Sequence, residues 1–412
     1  MTPTRPSATL YPVNSPDFER DVVVLGGCGR VGLPLAVALA KEGRKVTAYD
    51  LSEPTVKSVN SGIMPFAEPG ADQALRDAVE TGLLTASTDP SVVATARDVI
   101  VVIGTPVDEH LNPDPSSLPK ALAACYEYFR DGQLIVLRST VYPGVTAMIE
   151  QQLTELGVKV DVAFCPERIL EGHAMEELHT LPQIIGTRTE SARLRAAELF
   201  GTLTSKLVFI GPEEAELAKL FTNVWRYVKF ATVNQFYMMA NDRGLDFEEI
   251  RQAITQDYDR AADMPRAGFA AGPCLFKDTM QLGAFNNNNF ALGHAAMLVN
   301  EGLPLHVVSR LEQRFDLSTM TVGILGMSFK GGSDDTRESL SYKLKRILRF
   351  KARNVLTTDP YVVTDPELFP LEHVLEHSDL LIVATPHPDY RNLEITKPVA
   401  DVWGIFGQGV RI

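Results

Sequence analysis

Residues 21–50, DVVVLGGCGRVGLPLAVALAKEGRKVTAYD, constrain the fold more than any other stretch. The apolar run Val22–Leu25 has the character of a strand buried on both faces. Gly27, Gly29 and Gly32 follow as G-x-G-x-x-G, an amphipathic segment comes next, and Asp50 closes a second strand 18 residues beyond Gly32. Glycines alone are weak support. Strand, glycine turn, helix and terminal acid in this order specify a dinucleotide-binding βαβ unit. Backbone N–H groups of the turn, Gly27 to Gly32 with Arg30 and Val31 between, would approach a pyrophosphate at the helix N-terminus. Asp50 would accept from the adenosine ribose. No arginine follows Asp50 to meet a 2′-phosphate, so the expected cofactor is NAD.

At 412 residues the chain exceeds one core and suits two or three domains. Its net charge of −13 argues against nucleic acid and anionic membrane as partners. Residues 1–20 are rich in Pro, Ser and Thr without an apolar run and read as a flexible arm. No stretch has the length of apolar sequence that spans a bilayer. The four cysteines, Cys28, Cys125, Cys165 and Cys274, show no CxxC spacing and no accompanying histidine ligand set. A reduced, cytoplasmic, metal-free thiol protein is the expectation.

Further strand-like segments follow at 98–109, 132–144, 161–172, 182–186 and 206–211. They end in Thr105-Pro106, in Ser139-Thr140 and in Cys165-Pro166-Glu167, at the carboxyl edge where ligands of such sheets bind. This first domain is expected to span 21–211. Pro212 then opens a helix that neither Gly nor Pro interrupts before Gly244. About 30 residues at 1.5 Å each reach roughly 45 Å, enough to cross between domains. Lys219, Asn223, Arg226 and Asn234 fall on one stripe of it, a spacing that a solvated face and a functional face explain equally well. The rest of a central helical domain, 212–315, holds an apparent loop at 258–278.

A second α/β domain is expected from 316 to 412. VGILG with TTDP echoes VVVLGG with AYD, and DLLIVATP echoes DVIVVIGTP. Two similar doubly wound domains would face each other across a cleft able to hold two nucleotides. Lys330 and Arg337 follow the first strand of the second domain and could meet a diphosphate. Within AAGPCLFKD, residues 270–278, Cys274 reads either as a small buried side chain or as a nucleophile. Alcohol–ketone chemistry needs no thiol. Aldehyde-to-acid oxidation does: a thiolate adds to the aldehyde, the adduct loses hydride to NAD, and water cleaves the thioester. A nearby cation, Lys219 or Lys277, would lower the thiol pKa, and Asp278 could activate water.

From about Asp21 onward the chain resembles the UDP-glucose/GDP-mannose dehydrogenase family. The resemblance rests on the fingerprint with Asp50 and on GTP, STVYPG, PERILEG, ELAKLFTN, GPCLFKD and SFKGGSDDTRES, in family order. It implies two Rossmann-like domains joined by a long central helix that mediates dimerisation. The implied reaction is four-electron oxidation of a nucleotide-sugar C6 alcohol with two NAD. It also implies roles: Cys274 as nucleophile, Lys219 for the oxyanion, Asn223 for sugar and water, and Asp278 for base chemistry. Thr140 and Glu167 would position water and sugar, and Glu171 would serve NAD or thioester hydrolysis. Thr105 and Pro106 would line the cofactor site, and Arg337 would reach the NAD phosphates. Arg168, Gly272 and Lys330 would touch substrate, with Arg260 and Arg266 as contacts across a dimer. Ala271, Pro273 and Phe276 depart from the commoner cysteine loop, and Ala271 would restrict a backbone needing positive φ. PER and TNVWRYVKFATVNQ are similar to the N-acetylhexosamine branch, whereas Glu171 and Lys277-Asp278 are similar to the UDP-glucose branch. Two other readings remain: a single-step 3-hydroxy acid or polyol dehydrogenase, and an NAD-sensing binding protein.

Overall fold

The computed structural model describes residues 18–105 and 114–406; most of the expected arm, and Pro106, lie outside them. β1 (Arg20–Leu25), β2 (Val46–Tyr49), β3 (Leu84–Ser87), β4 (Ala96–Val101), β5 (Leu134–Leu137), β6 (Asp161–Phe164), β7 (Gln183–Thr187) and β8 (Leu207–Ile210) form one sheet. Its order is β3-β2-β1-β4-β5-β6-β7-β8. The first six strands follow the dinucleotide-binding order, with the crossover beside β1. Pairing is parallel except between β6 and β7, which run antiparallel. The fingerprint helix, Gly32–Lys41, is buried from Gly32 to Ala40. Close approach explains two of the glycines. A Cβ at Gly27 would lie 2.5 Å from the Val24 carbonyl oxygen, and one at Gly32 would lie 2.2 Å from that of Gly26.

The long helix spans Pro212–Asn241, with Pro212 in its first turn and Glu213 and Glu214 beside it, where acids oppose the helix dipole favourably. Buried Glu216 stitches it to the sheet: its carboxylate accepts from the Gly144 and Thr146 N–H groups at 2.7 and 2.8 Å and from the Thr146 hydroxyl at 2.6 Å. These donors open the helix Val145–Glu155 and would otherwise be unpaired. A second long helix, Ala291–Glu312, packs along the first.

Asn234 leaves the functional stripe. Fully buried, it donates to the Gly268 carbonyl at 3.0 Å and to Asn300 at 2.9 Å, and it accepts from the Gly268 N–H at 2.9 Å. Each such buried bond is worth about 1 kcal/mol, so Asn234 pins the segment leading to Cys274. That segment is shorter than the loop expected at 258–278, because a helix, Leu275–Phe285, begins directly after Cys274.

The second sheet, β9 (Thr321–Leu325), β10 (Asn354–Thr358), β11 (Leu380–Val383) and β12 (Val399–Asp401), is parallel in the order β10-β9-β11-β12. The sequence echo has a hydrogen-bond counterpart. Gly26 N–H donates to Tyr49 O and Gly326 N–H to Thr358 O, both at 2.9 Å. Val102 N–H donates to Leu25 O at 2.8 Å and Ala384 N–H to Leu325 O at 2.9 Å. Among the described residues no helix is long and apolar enough to cross a membrane.

Candidate active site

Asp50 follows β2 and turns back over the glycine turn. Its carboxylate accepts from the Cys28 N–H at 3.2 Å and the Ser52 N–H at 3.1 Å and stays partly exposed. A Cβ at Gly29 would come no closer than 3.4 Å to the Gly26 carbonyl oxygen, so the outer side of the turn is open. An accessible carboxylate at the β2 end and an open turn at a helix N-terminus fit the ribose and pyrophosphate of NAD.

Cys274 is the N-cap of the helix Leu275–Phe285 and is exposed, whereas Cys28, Cys125 and Cys165 are buried. Burial pushes the Cys28 and Cys165 thiols up to about 12. Cys274 is raised as well: desolvation by the cleft walls and the Asp278 carboxylate outweigh Lys219, Lys277 and Arg337. The expectation of a cation-lowered pKa is therefore corrected for the free protein. The cations are in place, but the resting group is a thiol and needs a base.

One turn on, Asp278 is fully buried, and its N–H donates to the Cys274 carbonyl at 2.9 Å. Asn223 Nδ2 donates to Asp278 Oδ2 at 2.6 Å, while Oδ1 has no hydrogen-bond partner. A buried acceptor without a hydrogen bond is costly, so this oxygen is open to a donor from a ligand. Lys277 Nζ lies 3.5 Å from that Oδ1 and donates to Thr105 O and Oγ1 at 3.1 and 3.3 Å. Thr105 Oγ1 in turn donates to the Thr140 carbonyl at 2.5 Å. The cysteine helix is thus tied to the carboxyl edge of the first sheet through Thr105 and Thr140. Ala271 keeps an ordinary backbone, because the positive φ, +103°, falls on Gly272. A Cβ on Gly272 would lie 2.6 Å from the Phe329 ring.

The second domain reaches into the same region. Arg30 Nη1 lies 2.6 Å from Glu171 Oε1 and 2.6 Å from Asp334 Oδ1, joining the glycine turn to the loop after β9. Lys330 Nζ donates to the Glu171 carbonyl. Burial and Asp335 raise the Glu171 carboxyl, opposed by Arg30 and Lys330. Burial lowers the Lys330 ammonium, opposed by Glu171 and Glu68. Arg337 is forked onto Asp335, at 3.0 Å from each carboxylate oxygen through Nε and 2.5 Å through Nη2.

Other expected residues lie in different settings. Glu167 is clamped by Arg138 through Nε at 2.8 Å and also through Nη2, and it accepts from the N–H groups of Arg168 and Ile169 at 2.7 and 2.9 Å. These bonds make it the pin of its own turn. Arg168 donates to the Pro182 carbonyl. Arg260 stacks over Tyr258 at 5.9 Å. Arg266 lies 3.4 Å from the Gly404 carbonyl and 3.5 Å from Glu248. With Phe230, Pro386, Arg391, Trp403 and Phe406 it lines a cavity of about 700 Å³ between the long helix and the second domain.

Sequence reasoning missed Glu68, which accepts from the Gly172 and Ala174 N–H groups at 2.8 and 2.9 Å, and the partners Arg138 and Asp334. Asp359 was within reach, since the TTDP echo already marked it as the counterpart of Asp50.

Three descriptions of one family match the chain in order. The NAD binding domain of the UDP-glucose/GDP-mannose dehydrogenase family matches residues 21–204, its central domain 213–302 and its UDP binding domain 323–408. The chain is 30% identical over 93% of its length to a UDP-N-acetyl-D-mannosamine dehydrogenase of Pyrococcus horikoshii, covering 92% of that protein. It is 28% identical to an NDP-N-acetyl-D-galactosaminuronic acid dehydrogenase of Ralstonia nicotianae, over 92% of this chain and 94% of that one. A solved structure of a UDP-glucose dehydrogenase from Pyrobaculum islandicum superposes with a TM-score of 0.87 at 28% identity, over 96% of this chain and 97% of that one.

Proposed function

The chain belongs to the UDP-glucose/GDP-mannose dehydrogenase family, with NAD as cofactor, and from that premise we propose that it is a nucleotide-sugar 6-dehydrogenase performing a four-electron oxidation. Its substrate is a UDP-hexose, with a UDP-N-acetylhexosamine ahead of UDP-glucose because the curated relatives above carry N-acetylhexosamine names. One observation carries the reading. An exposed cysteine stands one helical turn before a buried carboxylate, one oxygen of which Asn223 holds at 2.6 Å while the other makes no hydrogen bond and has the Lys277 ammonium at 3.5 Å.

Bound NAD supplies the hydride acceptor. Asp278 takes the C6 hydroxyl proton as the C–H hydride leaves, and Lys219 and Asn223 hold the oxygen of the resulting aldehyde. Once that proton has passed to solvent, Asp278 takes the Cys274 thiol proton as the sulfur bonds to the aldehyde carbon and hands it to the carbonyl oxygen, giving a thiohemiacetal. Loss of a second hydride, with the hydroxyl proton passing back to Asp278, leaves a thioester. Water adds, the C–S bond breaks, and carboxylate and thiol are released. Glu167, held by Arg138, acts by shaping the turn that carries Glu171 rather than by touching water. In the cavity between the long helix and the second domain, Arg266 and Arg391 suit a diphosphate, and Trp403 and Phe406 suit a base. Lys330 does not line that cavity and donates to the Glu171 carbonyl; that it meets the diphosphate from its loop when substrate binds is part of the same proposal.

With NAD and a panel of UDP-, GDP- and TDP-sugars, two NADH per sugar consumed are expected. One NADH per sugar points to the single-step dehydrogenase, and none with NAD still bound points to a sensing protein. Either outcome sinks the four-electron reading.

A homodimer through the long helix belongs to the same proposal. Phe221, Trp225, Phe236 and Met239 form an exposed apolar stripe there, continued by Leu298 and Leu305 on the neighbouring helix. From residue 221 to 239 the stripe runs about 27 Å, more apolar length than a monomer ordinarily leaves in water. The chain is expected to sediment as a dimer at micromolar concentration and Trp225→Lys as a monomer. A monomeric unaltered chain removes this part of the proposal.

A further inference from the structure

Asp50 and Asp359 hold equivalent positions in the two domains and are spent differently. Each follows the second strand of its unit, and each accepts the N–H two residues past the matching glycines Gly26 and Gly326: Cys28 at 3.2 Å, Ser328 at 2.9 Å. Asp50 takes one further donor, Ser52. Asp359 takes the N–H groups of Met327 at 2.6 Å, Tyr361 at 2.9 Å and Val362 at 3.0 Å, and the ring of His387 at 3.0 Å. Both side chains of the His387–Asp359 pair are 0% exposed. Burial alone would raise the Asp359 carboxyl, but the His387 bond and the backbone donors hold it at about 2.

His387 has its second nitrogen engaged as well. The Gly332 N–H faces Nδ1 at 3.1 Å, and an N–H can only donate. Nδ1 therefore carries a lone pair, and the ring proton sits on Nε2 and points to Asp359. Ser328 Oγ lies 3.3 Å from the same Nε2, so serine and aspartate meet one nitrogen and no proton relay of the hydrolytic kind can run through the ring. The glycine turn is packed directly on the histidine segment: a Cβ at Gly331 would lie 2.5 Å from the Pro386 carbonyl oxygen.

We infer that His387 is a positioning residue for the substrate loop, filling with its own ring the place where a ribose would meet Asp359 and fixing Gly332, two residues from Lys330. The second domain thereby lacks the open edge that Asp50 gives the first. It gains a turn held rigidly enough to present Lys330 to the diphosphate. The second domain still matches a UDP binding domain, and the inference rests on the reading of Lys330 given above.

The two halves of the ring can be tested separately. His387→Gln keeps a donor for Asp359 and loses the acceptor for Gly332, while His387→Asn keeps the acceptor and loses the donor. With UDP as probe, His387→Gln is expected to bind about tenfold more weakly, about 1.4 kcal/mol, with NAD affinity held within about twofold. His387→Asn is expected to keep more of the UDP affinity and to lose thermal stability instead. Unchanged UDP affinity in folded His387→Gln overturns the inference, as does an equal loss for UDP and NAD. Hydrogen exchange in the unaltered chain decides without a variant. The Gly332 amide is expected to be protected before any nucleotide is added, and fast exchange there overturns the inference. Failure of the unaltered chain to bind UDP would instead count against the function, leaving the exchange result to judge His387.

Discussion

Cys274→Ala is expected to lower carboxylate formation by roughly a thousandfold or more while NAD binding stays within about twofold of the unaltered protein. The side chain is solvent-accessible at the start of a helix, and among the described residues no hydrogen bond to its sulfur is present. Removing it deletes the atom that would hold the aldehyde and leaves the glycine turn, Asp50 and Arg30 untouched. Cys165 provides the contrast. It is fully buried with its thiol pushed up to about 12, so Cys165→Ala is expected to cost stability before activity. The pH behaviour follows from the direction of the Cys274 shift. Because its pKa lies above the ordinary value of 9.0, alkylation by iodoacetamide in the free protein should still be climbing beyond that pH. A plateau near neutrality would show that Lys219 and Lys277 do lower the thiol pKa, and full turnover by Cys274→Ala would show that the thiol is not the nucleophile.

Asp278→Asn is expected to reduce turnover by about 10²–10⁴-fold with little change in thermal midpoint. The amide oxygen of asparagine can still accept from Asn223 Nδ2, now at 2.6 Å from the carboxylate, so the buried contact survives while the base is lost. Asp278→Ala separates the two effects. It leaves Asn223 with an unpaired donor in a buried site, at a cost of about 1–3 kcal/mol, and should lower the midpoint as well as the rate. Retention of more than about a tenth of the activity by Asp278→Asn would transfer the base role elsewhere. Glu171 is then the next carboxylate to examine, since burial and Asp335 already raise its pKa.

Much of the architecture was legible because it depends on local pattern. The apolar run before Gly27, the acid ending β2 and the uninterrupted stretch after Pro212 each specify backbone conformation without distant partners. The loop expected at 258–278 hid that Cys274 and Asp278 lie one turn apart at the start of a helix, although as residue types both were legible. The antiparallel β6–β7 pairing was not, because a short apolar segment such as QIIGT pairs equally well in either direction.

Sequence alone determined which residues of the chain can do chemistry: an accessible-type acid after β2, a cysteine four positions before an aspartate, a lysine and an asparagine one turn apart. Tertiary structure decided which of them remain free to do it. Asn234 is consumed by Gly268 and Asn300, Glu167 by Arg138, and Asp359 by His387, whereas Asp50 keeps an open face and Asp278 an oxygen without a hydrogen bond. The reason is physical. Charge, proton affinity and hydrogen-bonding capacity depend on burial and on partners brought from far along the chain, and neither burial nor those partners are encoded in the local spacing that makes strands and helices.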